Sequence, residues 1–152
     1  IKESDATILL PGGVGTLDEG FENLTLFQTG KSLPRPIILL EPKSGDYWKI
    51  WLDWVNAVLI KNKFISPDDV NLFQLKHSAK EACNAIQKFY CVYHSLRYFK
   101  ELTIIRCIKP IPLKVIDRLN DEFKDIVVEG KIYSSSPLQG EIKSDDRSKY
   151  GG

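Results

Sequence analysis

"LPGGVGTLDEGFE" (Leu10–Glu22) puts three glycines into four positions and follows them with three carboxylates. The apolar run "ATILL" (Ala6–Leu10) leads into it and reads as a short strand buried on both faces, closed by Pro11 and the glycines. "LDEGFENLTLFQTG" then reads as a helix ending near Gly30, a residue suited to the left-handed position just past a helix C-terminus. The order strand, glycine turn, helix is the first half of a βαβ unit.

The same alternation continues downstream. "RPIILLE" (Arg35–Glu41) reads as a second buried strand. "DYWKIWLDWVNAVLIKNK" (Asp46–Lys63) reads as a helix, because Trp48, Trp51, Leu52, Val55 and Leu59 recur at helical spacing. "NLFQLKH" (Asn71–His77) is a third expected strand. "SAKEACNAIQKFYCVYHSLRYF" (Ser78–Phe99) is expected as one long helix, with Ala82, Ile86, Phe89, Tyr93 and Leu96 on one stripe. The predicted fold class is α/β: the C-terminal half of a Rossmann-like parallel sheet with flanking helices. A small α+β extension follows, with "LTIIRC" (Leu102–Cys107) as strand, "PLKVIDRLNDEFKDI" (Pro112–Ile126) as helix and "VVEGKIYSS" (Val127–Ser135) as strand. The expected division is 1–99, 100–138 and a polar tail at 139–152, with disorder expected along the polar end.

Two features suggest a fragment. The 152 residues contain no Met and open on Ile1. A strand as apolar as Ala6–Leu10 calls for partners on both sides, yet both further strands before residue 100 fall to one side of it in a doubly wound sheet.

Bulk properties narrow the function classes. Hydrophobic residues make up 43% and charged residues 27%, as in soluble globular domains. A net charge of +1 gives no electrostatic case for nucleic acid or an anionic membrane surface. No apolar run has the length of a membrane span. Cys83, Cys91 and Cys107 show no CxxC spacing, which suggests reduced thiols and a cytoplasmic protein. His77 and His94 give no metal-ligand cluster, so neither metal nor cofactor is expected.

The glycine loop is neither a Walker loop, since no Lys-Ser/Thr follows, nor GxGxxG, since Asp18 stands at the third glycine position. Its residue types suit a phosphate cradle, in which helix-start N–H groups and the helix dipole meet an anion and glycines supply close approach and positive φ. A tight turn without ligand explains the pattern equally well. Thr16 and Glu19 also fit a capping box, which would spend the Glu19 carboxylate on its own helix. Capping and chemistry therefore compete for Glu19. Leu17, Phe21, Leu24 and Gln28 share one helical face, with Asp18, Glu19 and Glu22 around the other.

"PGGVGTLDE" (Pro11–Glu19) resembles the PGGxGTxxE motif of the LONELY GUY proteins, often mislabelled as lysine decarboxylases. The likeness runs on through Glu22, Thr25, Gln28 and Gly30, then "PIILLE", "YWKIWLDWV" and "FISPDDVNLFQL". "FYCVYHSLRYF" and "LTIIRCIKPIPLKVIDRLNDEF" resemble the C-terminal extension of the longer bacterial members. The resemblance implies a Rossmann-like homodimer or larger assembly that cleaves the N-glycosidic bond of a nucleoside 5′-monophosphate, such as AMP or a cytokinin ribotide. A carrier that binds a nucleotide or cofactor without hydrolysis is the alternative. It also implies that Gly12, Gly13, Val14, Gly15 and Thr16 hold the 5′-phosphate and that Glu19 is the catalytic carboxylate, with Glu22 and Thr25 near the substrate. Gly20 departs from the usual apolar residue after the motif glutamate, and Asp18 from a common Glu. The family's Arg-Lys pair and first glycine-rich segment fall upstream of Ile1, so this chain by itself is expected to be inactive.

Elsewhere, His94 and Arg97 with Tyr90, Tyr93 and Tyr98 are expected to pack or to contact a subunit from the long helix. Trp48, Trp51 and Trp54 read as core or interface. Lys109–Pro112 reads as a proline-flanked turn and Lys143–Lys149 as solvated tail.

Overall fold

The computed structural model describes residues 4–138. Three parallel strands, β1 (Thr7–Leu9), β2 (Ile37–Leu40) and β3 (Gln74–Lys76), form one sheet in the order β1-β2-β3. The register pairs Leu9 with Leu39 and Leu39 with Leu75. The fold is thus mixed α/β with a parallel sheet, and β2 and β3 both lie to one side of β1.

The helices α1 (Val14–Gln28) and α2 (Tyr47–Trp54) form the two crossovers. Both cover the face carrying Leu9, Ile37 and Leu39, where Trp48 completes the core and Leu17, Leu24 and Trp51 pack around it. Trp51 sits edge-on to Trp48 and Phe73, with ring centroids at 5.8 Å and 5.4 Å. Of the three tryptophans, Trp48 is buried and Trp54 exposed. The second half of the expected Asp46–Lys63 helix is a wider π-helical turn, Val55–Ile60.

On the other face, α3 (Ala79–Tyr90) packs on β2 and β3 and covers Ile38, which has no exposed surface. It does not reach over Ile8, which stays 46% exposed. The first strand is therefore buried on one face only, a correction to the reading of burial on both. At its far end α3 returns to the start of β1, where the Tyr90 hydroxyl donates to the Asp5 carbonyl at 2.6 Å. Burial raises the Tyr90 phenol above its ordinary pKa, which keeps it a donor.

The long helix expected over Ser78–Phe99 is half helix and half strand. Ser78 caps α3 through its side chain, but α3 ends at Tyr90, and Tyr93–Phe99 is strand β4, paired antiparallel with β5 (Leu102–Cys107). His94, Arg97 and Tyr98 therefore lie on a strand. The reason is non-local: β5 finds its partner here, and Tyr, Leu and Phe suit a pleated surface as well as a helix stripe. The hairpin bridges the position near Phe99 at which the sequence suggests a divide, with Lys100 at φ +53° in its turn.

Helix α4 (Leu113–Glu122) follows, and a 3₁₀ turn covers Lys124–Ile126. The strand expected over Val127–Ser135 does not form. Gly130 at φ +82° breaks the extended run. Ile132 is held instead by the Asn120 side chain, which donates to its carbonyl at 2.8 Å and accepts from its N–H at 2.7 Å. The expected tail at 139–152 lies outside the described residues.

Ile38 tests the two-sided burial of β2. Ile38→Ala should cost about 2–5 kcal/mol. The urea midpoint should fall with an unchanged slope; a loss below about 1 kcal/mol would show that α3 does not close this face.

Candidate functional site

The C-terminal edge of a parallel sheet is where strand-to-helix loops gather. Here Leu10–Gly13 leaves β1 and Glu41–Asp46 leaves β2 at the same edge. Their contact is explicit: the Tyr47 hydroxyl, in the first turn of α2, donates to the Gly12 carbonyl at 2.7 Å.

Helix α1 starts earlier than the sequence suggests. Its N-cap is Gly13, whose carbonyl already accepts from the N–H of Thr16 at 3.1 Å and of Leu17 at 3.2 Å. Thr16 therefore lies inside the first turn, and the capping box with Glu19 does not form. The Thr16 hydroxyl lies against Gly12 instead, so closely that a Cβ on Gly12 would collide with Oγ1. Gly13 and Gly15 face open space, with no atom within 4 Å of a Cβ placed there.

Positive φ plays no part in this loop. Among the described residues, glycines with positive φ are Gly30 and Gly130. The loop glycines contribute their lack of side chains, and Gly30 serves as the left-handed residue past the end of α1. Among the described residues, the N–H groups of Gly12, Gly13, Val14 and Gly15 have no protein acceptor. They are the orphan donors that a helix start leaves open.

Helix geometry places Glu19 one turn, about 5–6 Å, along the axis from Gly15 and Thr16, on the same side. Glu22 follows on that stripe. Both are exposed, and neither carboxylate has a protein partner among the described residues. Thr25 is exposed too, but stands about 120° round the axis from Glu19. The loop Gly12–Thr16, Glu19 and Glu22 thus form one exposed surface, with Thr25 one further i+3 step along it.

Gly20 and Asn23 form the buried underside of α1. A Cβ on Gly20 would stand 3.1 Å from the Leu9 side chain, so the glycine lets α1 lie close on β1. Asn23 Oδ1 accepts from Thr7 Oγ1 at 3.0 Å and from the buried Arg35 guanidinium at 2.7 Å. Its amide donates to the Glu19 carbonyl at 2.7 Å. The turn carrying Glu19 is thereby tied to β1 and to the entry of β2.

Sequence reasoning missed Asn23, Arg35, Glu41 and Tyr47. Their available signal was position: Arg35 and Glu41 flanking β2, a polar Asn23 within α1, and a tyrosine opening the helix after β2.

Comparison with known proteins places the chain in a family. The family described as possible lysine decarboxylase matches residues 1–86, more than half of the chain. The chain belongs to this family, the one the LONELY GUY resemblance indicates. It is similar to a cytokinin riboside 5′-monophosphate phosphoribohydrolase of Mycobacterium tuberculosis, 35% identical over 83 residues, which is 54% of this chain and 42% of that protein. It is also similar to cytokinin riboside 5′-monophosphate phosphoribohydrolase LOG1 of Arabidopsis thaliana, 34% identical over 88 residues, 58% of this chain and 39% of that one. The chain spans about two fifths of the length of these relatives. Among the described residues, no helix is long and apolar enough to cross a membrane.

Replacing Asn23 by Ala should destabilise the fold by about 1–3 kcal/mol, since it strips a buried guanidinium of one acceptor. Asn23→Asp keeps that acceptor and should stay closer to the parent in thermal melts. Equal melting points for all three would disprove the anchor.

Proposed function

We propose that the full-length protein hydrolyses the N-glycosidic bond of a nucleoside 5′-monophosphate, AMP or a cytokinin ribotide, to free base and ribose 5-phosphate. The observation that carries this reading is Glu19: an exposed carboxylate, free of its own helix cap, one turn from an open glycine loop. The family and both relatives' names support it.

On this reading the 5′-phosphate sits on the free N–H groups of Gly12, Gly13, Val14 and Gly15, with Thr16 beside them. The nucleotide is then held by the same rigid helix that carries the acid. As the bond from C1′ to the base nitrogen breaks, positive charge builds on the ribose. The Glu19 carboxylate stabilises that charge and takes a proton from the attacking water. Hydroxide ends on C1′ and the proton on the departing base. Glu22 supports the sugar side, and Thr25 belongs to the outer rim.

No Lys, Arg or His occurs between Thr7 and Gln28. The cations that offset the phosphate come, on this reading, from the Arg-Lys pair of the family. Membership of the long bacterial type, a homodimeric or larger assembly and a cytoplasmic location complete the proposal.

Incubating the full-length protein with AMP should release adenine, seen by chromatography. Glu19→Gln should cut that rate by at least about 100-fold while leaving the fold intact. An unchanged rate would remove Glu19 from the chemistry. AMP bound without release of base would mark a non-hydrolytic carrier instead.

A further inference from the structure

The loop from β2 to α2 carries a buried carboxylate that the chemistry above does not use. Glu41 is 2% exposed. Its Oε2 accepts from the Trp48 N–H at 3.2 Å, at the start of α2, and its Oε1 is buried with no hydrogen-bond partner. The loop is folded tightly around this group. Gly45 donates its N–H to the Pro42 carbonyl at 2.8 Å, and a Cβ on Gly45 would stand 2.9 Å from Glu41 Oε2. A carboxylate at a helix N-terminus is favoured by the dipole, so Glu41 fixes where α2 begins.

What α2 presents from that position is Tyr47. Its ring stacks edge-on against Trp48, with centroids 4.8 Å apart, and its hydroxyl holds the Gly12 carbonyl. The peptide between Gly12 and Gly13 is trans and planar, so its C=O and N–H point in opposite directions. Pinning the Gly12 oxygen to Tyr47 turns the Gly13 N–H away from α2, and that N–H has no protein acceptor among the described residues. Glycines leave this peptide no side chain to fix its orientation.

We propose that Tyr47 is a positioning residue for the glycine loop, and that Glu41 acts through it by seating the first turn of α2. This rests on the reading that the loop holds a phosphate. Tyr47 does not touch the reacting atoms. It sets the direction of one N–H donor that a phosphate oxygen would meet.

The test uses the full-length protein and inorganic phosphate as the probe. Tyr47→Phe keeps the ring and removes the hydroxyl. It should weaken phosphate binding, measured by calorimetry, by roughly three- to ten-fold, the worth of one neutral hydrogen bond. KM for AMP should rise by the same factor, with kcat changed by less than about two-fold and no comparable loss of thermal stability. Glu41→Gln, which keeps a carbonyl oxygen for the Trp48 N–H, should bind phosphate close to wild type, whereas Glu41→Ala should match or exceed the Tyr47→Phe defect. Wild-type phosphate affinity and KM in Tyr47→Phe would overturn the positioning role alone. Absence of phosphate binding in the wild-type protein would overturn the phosphate reading and this proposal with it. A Tyr47→Phe defect confined to kcat would also overturn it.

Discussion

Everything at the candidate site depends on the burial of β2. Ile37, Ile38 and Leu39 are almost wholly enclosed, with α1 and α2 over one face and α3 over the other. Three such side chains are worth several kcal/mol of apolar burial. They fix the strand's height and its in-register parallel pairing with β1. Parallel pairing brings the two loops out at the same edge. The Tyr47–Gly12 bond joins residues 35 positions apart through that constraint.

The early start of α1 changes what its carboxylates are free to do. Had Thr16 been the N-cap, Glu19 would have folded back onto its own backbone. With Gly13 as N-cap the helix gives up a side-chain cap, at a cost of only a few tenths of a kcal/mol relative to Ser or Asp. Thr16 is redirected onto Gly12, and Glu19 is left without an internal partner. A shift of the N-cap by three residues thus removes the capping role that the sequence offers Glu19.

Local chemistry made much of this fold legible. β2 follows from the apolar run Ile37–Leu40 between Pro36 and Glu41, and α1 from the glycines at both its ends. β5 falls where the β-branched run Thr103–Ile105 places it. What stayed hidden is non-local. The stripe Ala82, Ile86, Phe89, Tyr93, Leu96 is consistent with a helix throughout, and only the presence of β5 as a partner turns its second half into β4. Val127–Ser135 has strand-forming residues but no neighbouring strand among the described residues, and Asn120 takes the backbone groups of Ile132 instead. Glu19, Glu22 and the loop were legible because one helix carries them all. Asn23, Glu41 and Tyr47 were not, because each acts on a residue from another element.

The proposed placing of acid and anion site on one helix also has an electrostatic cost. A carboxylate about 6 Å from a phosphate repels each unit of its charge by roughly 1–3 kcal/mol, depending on how much water lies between. The half-charge of a helix N-terminus offsets only part of this. With no cation between Thr7 and Gln28, the remainder falls to the individual N–H groups and to cations from other segments. A donor turned more than about 60° off line returns little of its bond energy. A glycine peptide left to itself would spend much of its time misaligned. The proposed anion site therefore depends on a rigid frame around the loop, and the described residues supply one on two sides: Asn23 beneath the helix and Tyr47 across the sheet edge.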